Sequence, residues 1–192
     1  MVKRGFDFVL SFAGLVGLSP MFLAIGLALK LTSPGPILYR GTRVGRNGEP
    51  FQIYKFRTMV VGADKLGPGI TTAGDSRVTP VGKFLRRFKL DEFPQLLNVL
   101  KGEMSLVGPR PEDPRYVALY TLEQREILNH RPGITSPASV KYRNESAALT
   151  DADWERKYVQ EIMPEKLAID AEYFRRAGLG DDLRTIARTF RG

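Results

Sequence analysis

The chain has no cysteine and one histidine, His130, in 192 residues. The first absence excludes disulfide staples and thiolate metal centres, and it fits a reducing compartment. The second excludes a histidine-built metal site and a histidine-dependent hydrolase triad. Acid–base or nucleophilic work at neutral pH therefore falls to carboxylates, lysines, tyrosines or hydroxyls. Glycine-rich phosphate cradles are missing as well, since neither a P-loop nor a dinucleotide fingerprint occurs. No repeat or low-complexity segment stands out. One stretch, Phe8 to Leu29 (FVLSFAGLVGLSPMFLAIGLAL), has no charge at all.

Elsewhere charge is abundant and one-sided. The net charge is +8 and the sequence pI about 9.8. That balance points to a polyanionic partner: nucleic acid, anionic lipid head groups or phosphorylated substrates. The length suits one ordinary domain with its own core.

The uncharged run is about as long as a membrane span. A secretory signal is a poor reading, because no cleavage site follows and the run leads into Lys30 and TSPGP. Ser19 and Pro20 interrupt it midway, where the proline removes a backbone hydrogen bond and kinks a helix. Lys3 and Arg4 precede the run; Lys30, Arg40, Arg43 and Arg46 follow it. Both ends therefore ask for the cytoplasm. A helix that enters the leaflet, bends and leaves on the same side satisfies both. Each limb would be roughly 15–18 Å long, too short for a ~30 Å hydrocarbon core. Ser19 could bond the carbonyl freed by the proline. A spanning helix and a buried helix of a soluble fold stay open as alternatives.

Downstream, ILYR and FQIYKFRTM around Asn47-Gly48 predict a hairpin. Gly62 to Asp75 reads as a mobile surface loop. TPVGKFLRRFKL predicts a helix, and a second begins at Asp91, with Asp91 as its cap, and ends near Lys101-Gly102. SLVGPRPEDP reads as extended, Pro114 to about Asn129 as helix closed by RPG, and the segment from about Asp153 as helix interrupted at Pro164. The last helix puts Leu183, Ile186, Ala187 and Phe190 on one face and Arg184, Arg188 and Arg191 on the other. It is either interfacial or simply packed.

The stretch RRFKLDEFPQLLNVL runs three cations, Arg86, Arg87 and Lys89, into adjacent carboxylates, Asp91 and Glu92. A helix start explains the acids but not the cations before them. Lys55 on a strand and Arg86, Arg110, Arg131 and Arg143 in rigid or proline-fixed settings suit bidentate phosphate recognition as well as a solvated face. A hard-oxygen pair suited to Mg²⁺ amid such cations points to phosphoryl transfer, with an Asp carboxylate able to attack phosphorus. Neighbouring acids at a helix start do not naturally flank a glycosidic bond, so a glycosidase pair is a poor reading.

The combination of SP in the apolar run with YKFRTM, KLDEFPQLLNVLKGEMSLVGPRP and RPGIT resembles the bacterial sugar transferase family, the monotopic polyprenol-phosphate phosphoglycosyl transferases, over nearly the whole chain. The resemblance implies an α+β, mostly helical fold, with a re-entrant membrane helix hairpin kinked at Ser19-Pro20, a small β-hairpin and amphipathic interfacial helices. It implies a minimal catalytic form, with residues 1–31 as the membrane element and 32–192 as one cytoplasmic catalytic unit. The implied reaction moves a sugar 1-phosphate from a UDP-sugar to a polyprenol phosphate such as undecaprenyl phosphate. UMP is released, Mg²⁺ is required, and a phosphosugar is held covalently on the Asp. The implied place is the cytoplasmic face of the bacterial inner membrane, against membrane lipid, in exopolysaccharide or surface-glycan assembly.

Carried over residue by residue, Asp91 is the nucleophile and Glu92 its partner in metal binding or orientation. Lys55 is the ionic partner of the glutamate, and Arg86, Arg110, Arg131 and Arg143 are phosphate or nucleotide contacts. Nucleic acid is not an implied partner, and a homodimer stays open. RPGITSPASVKYRNE departs from the family's RPGITGxAQVNGRN at Ser136-Pro137, Ser139, Lys141 and Tyr142, which puts local sugar and phosphate contacts in question. The competing reading is a membrane-anchored basic adaptor without catalysis. A nucleic-acid platform fails because aromatics do not alternate with the cations.

Overall fold

The computed structural model describes residues 2–63, 66, 74–145, 149 and 153–191; most of the loop expected at Gly62 to Asp75 lies outside them. Two helices open it, α1 (Val2–Gly17) and α2 (Ser19–Thr32), bent by 59° at the break. The bend has the expected cause. Pro20 has no N–H for the Val16 carbonyl, and the Ser19 hydroxyl donates to that carbonyl instead, at 2.7 Å. Among the described residues no single helix is long and apolar enough to cross a membrane, whereas the bent pair passes by length and composition.

The hairpin is present: β1 (Leu38–Val44) pairs antiparallel with β2 (Pro50–Phe56). Its turn is longer than the Asn47-Gly48 signal predicts, with a 3₁₀ turn over Arg46–Gly48 in which Asn47 and Gly48 both take positive φ. Next come α3 (Pro80–Arg87), a 3₁₀ turn (Leu90–Gln95) and α4 (Leu96–Lys101). Strand β3 (Ser105–Val107) pairs parallel with β4 (Gly133–Thr135), a pairing the sequence reading missed. Ile25 and Leu29 of α2 bury against Phe56 and Leu85, while Ile53 buries against Val99 and Met104.

The expected helix from Pro114 to Asn129 is instead two short pieces, α5 (Pro114–Val117) and a 3₁₀ turn (Gln124–Asn129). A capping box divides them. Thr121 Oγ1 accepts from Gln124 N at 3.2 Å, and Gln124 Oε1 accepts from Thr121 N at 3.0 Å. Helix α6 (Pro137–Lys141) follows β4. The C-terminal third is helical as expected: α7 (Trp154–Lys157), a π-helical turn (Tyr158–Ile162) and α8 (Met163–Arg176), then α9 (Leu179–Arg191). The interruption falls just before Pro164, whose ring would collide with the carbonyl one turn back.

Helices α1 and α9 are inverted relative to a water-soluble packing. The buried residues of α1 are Asp7 and Ser11, while Phe8, Val9, Leu10, Phe12 and Val16 are exposed. In α9 Asp182 and Thr185 are buried while Leu183 and Phe190 are exposed, so its apolar face is not packed. Polar side chains fasten α1. Asp7 accepts from Ser105 Oγ at 2.8 Å and Leu106 N at 3.1 Å. Arg4 donates to the Val99 and Leu100 carbonyls at the end of α4, and Lys3 donates to the Val107 carbonyl and Asp182.

Candidate active site

Three segments converge at Glu92. Lys55 stands at the end of β2, and the fully buried Asn98 fixes that strand against α4. Asn98 Oδ1 accepts from Tyr54 N at 3.0 Å, while its Nδ2 donates to the Gln52 carbonyl and to Glu103 at 2.7 Å each. Arg110 arrives from β3 through a tight crossing over β4, where Gly133 N donates to the Pro109 carbonyl at 2.9 Å. A Cβ on Gly133 would fall 2.0 Å from Gly108 N, so only glycine permits the crossing. Glu92 Oε1 then accepts from Lys55 Nζ at 2.7 Å and Arg110 Nη2 at 2.8 Å. Burial pushes the Glu92 carboxyl up, but Arg110 and Lys55 outweigh it and hold it well below the usual carboxylate range. The same burial pulls Lys55 down against the charge of Glu92.

Asp91 does not cap a helix as expected. Lys89 takes the N-cap position in the left-handed region, φ 57°, without a side-chain cap bond. A lysine held there stores backbone strain beside the site. Asp91 is 7% exposed, and its Oδ1 has no hydrogen-bond partner among the described residues. Burial pushes its carboxyl up; Lys55 pulls it back, Glu92 adds to the rise, and Arg86 and Lys89 oppose it. Ionisation of Asp91 therefore rests on those cations rather than on a helix cap. Arg86 is steered by its Nε donating to Thr58 Oγ1 at 2.8 Å. One turn after Asp91, the buried Gln95 has an Nε2 that also lacks a partner among the described residues. A buried acceptor and a buried donor left unmet on one turn are what a site completed by its ligand requires.

Lys55, Arg86, Asp91, Glu92 and Arg110 are thus brought together. No hydrogen bond or ion pair among the described residues joins Arg143 or Arg131 to them. Arg143 donates to the Thr189 carbonyl at 2.8 Å, fastening α9. Arg131 lies beside Arg4, Arg46 and Asp7. The departing residues are fasteners too: the Ser136 side chain accepts from Ser139 N at 3.0 Å at the cap of α6, and Lys141 and Tyr142 both bond Glu165 of α8. Sequence reasoning missed Asn98, Thr58, Gln95 and Asp170. Asp170, whose carboxyl burial pushes up to about 6, accepts from Ala138 N at 3.0 Å and lies against the Arg110 amide. Asn98 and Gln95 were visible only as polar residues within the apolar PQLLNVL run.

Among the described residues no three of His, Cys, Asp and Glu cluster as a metal cage. The unpartnered Asp91 Oδ1 fits a hard cation that takes one carboxylate and completes its shell with phosphate oxygens and water. Glu92, already shared by two cations, fits orientation better than ligation.

This frame agrees with comparisons over the whole chain. The family described as bacterial sugar transferase matches residues 1–192. An Escherichia coli (strain K12) UDP-glucose:undecaprenyl-phosphate glucose-1-phosphate transferase is 39% identical over 197 residues, covering 100% of this chain and 40% of the relative. A Caulobacter vibrioides protein of the same description is 40% identical over 192 residues, covering 97% and 67%. The exopolysaccharide production protein ExoY of Sinorhizobium fredii is 38% identical over 173 residues, covering 82% and 76%. This chain thus spans 40% of the length of the Escherichia coli relative. With the match running from end to end and through the segments that build the Asp91–Glu92 site, the chain belongs to the bacterial sugar transferase family.

Proposed function

We propose that this chain transfers a sugar 1-phosphate from a UDP-sugar to a polyprenol phosphate, through a covalent phosphosugar on Asp91. The observation that carries the reading is the pairing of a buried carboxylate oxygen without a partner with a neighbouring carboxylate locked by two cations. The first is free to react; the second holds Lys55 and Arg110 in place. A carboxylate oxygen of Asp91 bonds to the phosphorus bearing the sugar, and the phosphorus–oxygen bond to UMP breaks with its electron pair leaving on UMP. An oxygen of the polyprenol phosphate then bonds to the same phosphorus, and the Asp91 carboxylate is restored. Arg86, Arg110 and Lys55 screen the repulsion between anionic nucleophile and diphosphate. Mg²⁺ held by Asp91 and the substrate phosphates would supply further charge neutralisation.

The second half of the reading concerns place. Helices with polar residues turned inward and apolar residues outward are what a lipid surroundings selects. The 59° bend, with both ends of the α1–α2 pair tied to the same globular body, supports re-entry at the cytoplasmic leaflet. Polyprenol phosphate would then present its head group at the level of the site. The names of the relatives make UDP-glucose the first donor to try. The test is UMP release by purified protein from a panel of UDP-sugars, with and without undecaprenyl phosphate. Release of up to one equivalent without acceptor, and continuous release with it, supports the reading; no release from any UDP-sugar overturns it.

A further inference from the structure

A cavity of about 220 Å³ lies on the far end of α1, among Lys3, Arg4 and Asp7, the segment His130-Arg131, and Phe174 of α8. None of Lys55, Arg86, Asp91, Glu92 or Arg110 lines it. Three cations line it; Lys3 is ion-paired with Asp182, which leaves Arg4 and Arg131 facing one carboxylate of the lining, Asp7, itself engaged by Ser105 and Leu106. Arg4 is held by the Val99 and Leu100 carbonyls, and Lys3 by the Val107 carbonyl and the Asp182 carboxylate. Arg131 has no hydrogen bond or ion pair to any described residue, although it is partly buried and stands beside Arg4. Burial, and then the like charges of Arg4 and Arg46, work against its protonated form, and the Asp7 carboxylate only partly opposes them. His130 packs against Phe174, with ring centroids 5.3 Å apart, and both line the cavity.

We infer that this cavity is a second anion site, separate from the Asp91 site, and that it takes a phosphate group between Arg131 and Arg4. A planar guanidinium with its donors unspent beside a second, fixed guanidinium is an arrangement that phosphate oxygens complete. The volume is below that of a cofactor pocket and suits a small anion. Phosphate could come from solution or from the head group of an anionic lipid. The cavity sits at the first turn of α1, directly before its exposed run of Phe8, Val9 and Phe12, where an acyl chain would continue from a bound head group. Only the lipid source rests on the membrane placement proposed above.

The test reads thermal unfolding of the purified full chain in a neutral detergent, so that its failure leaves the Asp91 chemistry untouched. Inorganic phosphate, phosphatidylglycerol and phosphatidylcholine are added separately, against sodium chloride of equal ionic strength. At ten times its dissociation constant a ligand of the folded state should raise Tm by roughly 3–6 °C. We expect that rise with phosphatidylglycerol, with inorganic phosphate or with both, and not with phosphatidylcholine. A rise with the lipid alone identifies a head group; a rise with both identifies phosphate as such. Arg131→Gln should remove it, and without anion should unfold no lower than the native chain, since a repulsive charge is gone. Arg86→Gln, on the other site, and Arg156→Gln, an exposed residue of α7, should retain the rise. Should Arg131→Gln fail to fold, Arg131→Lys is used and should reduce the rise. No rise with any phosphate, a rise that survives the Arg131 change, or one abolished by Arg86→Gln would overturn the inference.

Discussion

Converting each of the two adjacent carboxylates to its amide should move stability in opposite directions. Burial raises the folded-state pKa of Asp91 above its ordinary 3.8. An acid with a raised folded pKa binds its proton more tightly in the fold than in the unfolded chain, so its ionisation at neutral pH costs stability. Asp91→Asn removes that cost and should unfold at the same temperature as the native chain or higher, while turnover is abolished. Glu92 is the reverse case. Its folded pKa is held well below the ordinary 4.5, so it contributes stability above that value and loses it only as pH falls through the depressed one. Glu92→Gln leaves Lys55 and Arg110 without the oxygen that now accepts from both, at 2.7 and 2.8 Å. Breaking a buried pair costs ~3–5 kcal/mol, but the Arg110 side chain is 37% exposed, so solvent screens part of the loss. About 2–3 kcal/mol remains, a fall in Tm of roughly 4–12 °C for a chain of this size. Glu92 also raises the pKa of Asp91, so Glu92→Gln should keep a trace of activity whose acid limb lies at lower pH. Thermal unfolding in one detergent at pH 7.5 and at pH 4, at one scan rate, checks both variants. Equal destabilisation by the two amides would refute the division of roles.

Asn98→Ala should lower Tm by roughly 4–24 °C, because the Tyr54 N–H and Gln52 carbonyl lose a buried partner at ~1–3 kcal/mol each; unchanged unfolding would show that β2 is held otherwise. Exhaustive chelation should stop UMP release, and Mg²⁺ or Mn²⁺ should restore it, since both favour oxygen donors; full turnover in chelator would remove the metal from the account. Pro20→Ala with Ser19→Leu restores the helical bond to the Val16 carbonyl and should straighten the α1–α2 break, sending part of the population across the membrane. A cysteine at Val2, in a chain that otherwise has none, should resist an impermeant thiol reagent in intact cells unless the helix is straightened. Labelling without the straightening changes would contradict re-entry.

The parts legible in the sequence were those set by neighbours along the chain. The Ser19-Pro20 bend and the hairpin around Asn47-Gly48 both follow from local backbone rules, and the observed bond from Ser19 to Val16 is the one expected, whereas the helix expected to start at Asp91 opens as a 3₁₀ turn capped by Lys89. Lys55 and Arg110 were identified through a resemblance, and the structure brings both to Glu92. What escaped depends on distant contacts. Lys3 and Arg4 read as topology signals, yet they are hydrogen-bonded into the globular body along with Asp7. Three-residue strands such as β3 and β4 have no periodicity to detect, so their crossing was invisible, and with it the separation of Arg131 from the Asp91 site. Nothing local in the sequence reveals that a carbonyl of α9 accepts from Arg143. The Thr121–Gln124 capping box was readable but was passed over inside a helical-looking segment.

The central claim is covalent catalysis by Asp91, and intact-protein mass spectrometry tests it most directly. Purified protein is mixed with Mg²⁺ and the UDP-sugar that releases UMP, without polyprenol phosphate, and quenched under mild conditions. The account predicts one added sugar phosphate per chain, mapped to the peptide containing Asp91, absent from Asp91→Asn and discharged when undecaprenyl phosphate is supplied. An adduct that persists in Asp91→Asn, or steady turnover by the native chain with no adduct at any time, would contradict it.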